Sequence, residues 1–123
     1  MPSDAPDPET QPRIHGIKFA DRFVDAILRG QKTATIRVGD EWRKVRVGDR
    51  LRLRDQDGEQ FASATVSERG WTSINMAARM QIDGHRDYLS ADVLLAELRQ
   101  HYPDHDLTAT SAVELIHWED LQE

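Results

Sequence analysis

The segment Ile27-Leu28-Arg29-Gly30-Gln31-Lys32-Thr33-Ala34-Thr35-Ile36-Arg37 gathers a lysine, two threonine hydroxyls and an arginine just after a glycine. These are side chains that bind anions or, beside a base, turn a hydroxyl into a nucleophile. Its Gly-x-Lys-Thr core invites a phosphate-loop reading. That loop needs adjacent Gly and Lys with a second glycine five residues earlier, and it follows a strand and opens a helix. Here neither spacing is met, and the segment follows a helical pattern and opens a strand-like one, so nucleoside triphosphate binding is set aside.

Other groups narrow the chemistry further. The chain has no cysteine, which removes disulfides, thiolate metal sites and a cysteine nucleophile together. His101 and His105 stand at i and i+4, yet Pro103 breaks the helix that would bring them to one face, so they read as a polar turn and no metal site is expected. Arg43, Lys44, Arg46, Arg50, Arg52 and Arg54 crowd one stretch of a chain whose net charge is −6. An acidic protein does not hold a long duplex by neutralising phosphates, and a small ligand suits it better. The basic stretch is either a set of solvated strand faces or a local contact for nucleic acid. Trp42 and Trp71 flank these strands, and either could stack on a base: Trp42, among the basic residues, is the better candidate, and Trp71 reads first as core packing or a half-buried lid.

The elements that must position these residues follow from periodicity. With 123 residues there is room for one domain, which buries roughly two-thirds of its unfolded surface. Residues 1–13, rich in Pro, Asp, Ser and Glu, read as a disordered tail without the pattern of a secretory signal, and residues 14–123 as the domain. Ile17-Lys18-Phe19 reads as a strand, and Asp21 as the cap of a helix with Phe23, Val24, Ile27 and Leu28 on one face, ended by Gly30. Thr33 to Val38 alternates as a strand, with Ala34, Ile36 and Val38 inward. Val47-Gly48-Asp49 turns into Leu51 and Leu53, and Asp57-Gly58 makes a hairpin into Phe61, Ala62, Ala64 and Val66. Ser73 and Ser90 cap two helices, the second with Val93, Leu94 and Leu98 as its core stripe and Pro103 as its stop. Val113 to Trp118 is a last strand. Strand, helix, strands, helices, strand is an α+β order, and the expected architecture is a small β-barrel of mostly antiparallel strands with flanking helices. No apolar run approaches the ~20 residues that cross a bilayer, and a cytoplasmic location without membrane contact is expected.

A helix ending in Leu28-x-Gly30, then Lys32-Thr33-x-Thr35-Ile36-Arg37 and, after a short connection, Gly48-Asp49-x-Leu51, resembles the ASCH family, whose fold is similar to the RNA-binding PUA domain. The likeness runs from about Ile17 through the last strand. Within the family, the element order and the Tyr102-Pro103 helix end look like the small N4-acetylcytidine amidohydrolases. The resemblance implies a catalytic group of Lys32, Thr35 and an acidic residue. Counted back from Tyr102-Pro103 the acid falls on Asp87, where those enzymes have glutamate. An aspartate falls short of that reach by more than an ångström, enough to cost about 10²-fold in a positioned site. Asp83 and His85, in the same loop, are alternatives for the role.

The implied trio suits amide hydrolysis. Thr35 would attack and Lys32 would take its proton, which requires desolvation or neighbouring positive charge such as Arg37 to lower the lysine from ~10.4 to about 8, roughly 3 kcal/mol of differential interaction. The acid would orient the lysine or protonate the leaving nitrogen. Residues three apart in a strand face opposite sides, so Lys32 must lie in the turn before the strand and fold back over its end. Arg37, Trp42, Arg43, Arg46 and His85 are the expected substrate contacts. No metal or organic cofactor is called for, and the partner is a modified nucleoside or RNA. The alternatives are an RNA- or nucleoside-binding module without turnover, and a ribonuclease.

Overall fold

Alternation in the sequence becomes alternation of burial. In the computed structural model, which describes residues 12–80 and 90–123, β3 (Arg50–Arg54) buries Leu51 and Leu53 and turns its arginines outward, and β4 (Gln60–Ser73) buries Ala62, Ala64 and Val66. The two strands form the expected hairpin over Asp57-Gly58, closed by the Asp55 carboxylate, which accepts from the Asp57 and Glu59 amides at 3.0 Å each. β1 (Ile14–Lys18) lies parallel to β3. β5 (Ala112–Gln122) lies antiparallel to β4, and β2 (Ala34–Arg37) antiparallel to β5, giving the order β1-β3-β4-β5-β2.

The expected barrel is corrected by this order: the sheet is open. Among the described residues, no ladder joins the edge strands β1 and β2. A side chain spans them instead, since Arg37 Nη2 donates to the Lys18 carbonyl at 2.6 Å. Register shifts in β4, between Ser63 and Thr65 and between Val66 and Glu68, insert bulges that bend the long strand.

Two cores lie on opposite faces, and β5 is buried on both. Ile116 and Trp118 pack with Ile17, Leu51, Leu53, Val66 and Ile27, the last supplied by helix α1 (Asp21–Leu28). Val113 and Leu115 pack with Ala34 and Ile36 of β2, with Ile74 and Ala77 of α2 (Ile74–Arg79) and with Leu94 and Leu98 of α3 (Ala91–His101). The inward face expected for β2 is thus the one covered by α2 and α3. Ser73 and Ser90 cap these helices, accepting from the Met76 and Val93 amides.

Three expectations are corrected. Asp21 is the first helical residue rather than the cap, and its carboxylate accepts from the Gln56 amide at 3.0 Å, tying the hairpin to α1. Val93 is 45% exposed, because it lies about 100° around the helix from the Leu94–Leu98 stripe. Trp71 is 75% exposed. It pairs with Glu114 on the face of the first core, but past the end of that core. No helix among the described residues is long and apolar enough to cross a membrane.

The Gly48-Asp49 pair is a structural staple. Gly48 has φ +92°, a conformation that costs glycine little, and it delivers Asp49 into a site where the residue is 5% exposed. There Asp49 accepts from the Arg13 amide at 3.1 Å, from His15 Nε2 at 2.8 Å and from the Arg46 amide at 3.0 Å. Burial alone would raise its pKa, but these three donors outweigh burial and hold it below the ordinary 3.8. The ionised form therefore stabilises the fold above pH 3.8, and that contribution is lost as the pH falls through the lower folded value. Asp49→Ala, which orphans the three donors, should cost about 2–3 kcal/mol in urea unfolding at pH 7. The gap between wild type and Asp49→Asn should narrow as the pH is lowered to about 3, and a gap independent of pH would refute the assignment.

Candidate active site

The break between α1 and β2 sets the site. Gly30, at φ +74°, ends the helix, and the Gln31 and Lys32 amides both donate back to the Ala26 carbonyl at 2.9 and 3.1 Å. Lys32 is therefore held in the turn, and its side chain folds forward so that Nζ donates to the Ala34 carbonyl at 2.8 Å. Its ammonium also lies 5.1 Å from the Phe23 ring centre and 5.9 Å from that of Phe19, where ring faces attract a cation. Thr35, 6% exposed, lies on the opposite side of β2 from the Ala34–Ile36 core face. Lys32, Thr35 and Arg37 all line one cavity of about 850 Å³.

Arg37 links Thr35 to two aromatic rings. Its Nε donates to Thr35 Oγ1 at 3.2 Å, and its guanidinium lies 4.8 Å from the Phe19 ring centre and 5.4 Å from that of Trp42. Desolvation pulls its pKa below the usual arginine value, and Tyr102, by charge and hydrogen bond, and Glu41 partly restore it. Because Nε–H occupies a lone pair of Thr35 Oγ1, the threonine proton is left to point at another acceptor.

Trp42 lies in a 3-10 turn, Asp40–Lys44, laid over the sheet. Arg69 of β4 fixes that turn from below: it donates to the Trp42 carbonyl at 2.8 Å, to the Val45 carbonyl at 2.8 Å and to the Leu115 carbonyl. Desolvation lowers the Arg69 pKa, and the buried Glu114 at 3.7 Å opposes that.

Of the expected substrate contacts, Arg37 and Trp42 line the cavity with Lys32 and Thr35. Arg43 lines a different cleft, with Trp71. Arg46 is exposed and lines neither cleft, its backbone amide serving Asp49. Asp83, His85 and Asp87 lie outside the described residues. The sequence reading missed Glu97 and used His101 only as part of a polar turn, yet both line the cavity from α3. Their i, i+4 spacing is the signal that puts them on one helix face. Glu97 also meets Arg22 at 3.5 Å. Among the described residues no group of three or more His, Asp or Glu is placed to hold a metal ion.

No family model and no curated protein matches the sequence. Solved structures do match. A protein of Enterococcus faecalis V583 from the DUF984 family superposes with a TM-score of 0.67 at 14% identity, over 90% of this chain and 77% of that one. The ASCH domain from Lactobacillus crispatus JV V101 gives 0.59 at 18% identity, over 87% and 79%. A tyrosine-to-phenylalanine variant of an ASCH protein from Zymomonas mobilis gives 0.61 at 16% identity, over 87% and 69%. The fold is that of the ASCH domains.

Arg37 tests the geometry directly. Arg37→Lys keeps a charge but not the fork that reaches Thr35, Lys18 and the two rings. It should lower stability by about 1–2 kcal/mol in urea unfolding and weaken the near-ultraviolet circular dichroism of the tryptophans. A variant as stable as wild type, with an unaltered spectrum, would show that the guanidinium does not organise this site.

Proposed function

We propose that the cavity takes an N4-acylated cytidine, N4-acetylcytidine in the first instance, and hydrolyses its amide. The observation that carries this reading is the convergence of Lys32 and Thr35 on one cavity although they stand three apart in the chain. Phe19, Phe23, Trp42 and Tyr102 offer aromatic surface suited to a pyrimidine ring.

In this mechanism Lys32 acts in its neutral amine form: Thr35 Oγ1 attacks the acyl carbon and its proton passes to the lone pair of Lys32 Nζ. The new oxyanion develops beside Arg37, a fixed cation that is already hydrogen-bonded to the attacking oxygen. Collapse breaks the C–N bond, and the cytidine nitrogen leaves with a proton from an acid. Asp87 is the acid that the family resemblance implies. Glu97 and His101 line the cavity and can also carry a proton. Water then hydrolyses the acyl-threonine ester, releasing acetate and restoring the hydroxyl.

Purified protein should release cytidine from N4-acetylcytidine, followed by chromatography. Lys32→Ala and Thr35→Val, the latter close in shape but without the hydroxyl, should each lose about 10²–10⁴-fold in kcat/KM, while Thr35→Ser keeps a measurable rate. Full activity in Thr35→Val would remove the nucleophile from the scheme. No turnover by folded wild type, with cytidine or its acetyl form still bound, would favour a binding module.

A further inference from the structure

A second cleft, of about 620 Å³, opens on the same sheet, lined by Arg43, Val45, Arg69, Gly70, Trp71 and Glu114 among others. The register sets it beside the first. Arg37 of β2 and Trp71 of β4 both pair with Glu114 of β5, and cross-strand partners share a face. The three residues form one row, and two inter-strand spacings place Arg37 and Trp71 about 10 Å apart along it. Above the row, Trp42 lines the first cavity and the next residue, Arg43, lines the second. One turn of chain is thus the wall between them.

The groups of the second cleft have separable duties. Arg69 spends its donors on four carbonyls, those of Val45, Gly70, Leu115 and Trp42, and sits beside Glu114. It is structural. Arg43 is largely exposed and meets the exposed Asp40 at 3.4 Å, a loose contact worth little in water, and the buried Glu114 at 3.5 Å. A phosphate could take over its guanidinium while Arg69 still neutralises Glu114. Trp71, at 75% the most exposed large hydrophobic side chain among the described residues, offers a bare ring face next to that cation. An exposed indole beside a replaceable arginine is the equipment of a stacking site for a nucleotide base.

We propose that Trp71 is a platform for the base of a nucleotide adjoining the one in the cavity, with Arg43 on the phosphate that links them. The protein then takes its cytidine as part of single-stranded RNA rather than as a free nucleoside. The choice of a ribonucleotide strand rests on the function proposed above, and the stacking geometry does not.

The test is binding of a short, unacetylated, cytidine-containing single-stranded RNA, measured by fluorescence anisotropy with cytidine itself as the reference. Wild type should bind the strand more tightly than cytidine. Trp71→Ala should weaken strand binding about 5- to 100-fold, Trp71→Phe should retain most of it, and Arg43→Gln should reduce the salt slope by about one. Equal binding by wild type and Trp71→Ala, or no binding by wild type, overturns the proposal. So does a concentration-dependent dimer that Trp71→Ala dissolves without affecting RNA. Equal affinity for DNA of the same sequence overturns the assignment to RNA. Because the strand is unacetylated, Trp71-dependent binding beside absent amide hydrolysis would sink the amidohydrolase reading alone.

Discussion

One guanidinium, that of Arg37, sits where the two ends of an open sheet approach each other. It is stacked near Phe19 and Trp42, bonded to the Lys18 carbonyl at the end of β1 and to the Thr35 hydroxyl on its own strand. Taking a cation out of water is costly unless its donors are met, and here they are met from β1, β2 and the end of α3, with the Trp42 ring of the 3-10 turn beside them. That requirement couples the elements. β1, β2, the 3-10 turn and the helix end at Tyr102 must all be in place for the charge to be tolerated, and once they are, Thr35 has its hydrogen-bonding direction set.

A second arginine, Arg69, couples elements in the same way beneath the 3-10 turn. It reaches from β4 to carbonyls of that turn and of β5, with Glu114 beside it. The turn that carries Trp42 and Arg43 has no fully buried residue of its own, and only Trp42 packs against the first core. The contacts of Arg69 on β4 and Glu114 on β5 add to that single apolar anchor. β5, with Ile116 and Trp118 on one side and Val113 and Leu115 on the other, supplies the rigidity that such contacts need.

Much of this was legible in the sequence because it follows from local rules. The hairpin at Asp57-Gly58, the helix end at Gly30, the serine caps and the inward face of β2 depend on turn chemistry and period-two or period-3.6 patterns. Lys32 and Thr35 could be singled out by their resemblance to a family motif, and their convergence by the reach of a lysine from a turn. What stayed hidden depends on pairing. Glu114 and Arg69 look like surface charges in an alternating strand, and only the β4–β5 register, displaced by two bulges, brings them together under the turn. Trp71 reads as core packing or a half-buried lid because a large apolar ring is usually covered; the same bulged register carries it past the end of the first core. Arg43 and Trp42, neighbours in a basic run, could not be assigned to different clefts from sequence.

The open sheet and the cavity are one feature seen twice. Closing β1 against β2 would satisfy two exposed edges, which soluble proteins normally cover or blunt. It would also draw backbone across the space that Lys18, Phe19, Lys32, Thr35 and Arg37 now line together. Leaving the edges unjoined keeps that space open, and bridging them with a guanidinium in place of a ladder puts a fixed positive charge at its wall. The same substitution explains how a chain of net charge −6 can present cationic groups to a ligand: they are selected by position rather than by number. Arg37 is held in place by the Lys18 carbonyl and the Thr35 hydroxyl, so the charge at the site is set by the fold and not by the balance of the surface.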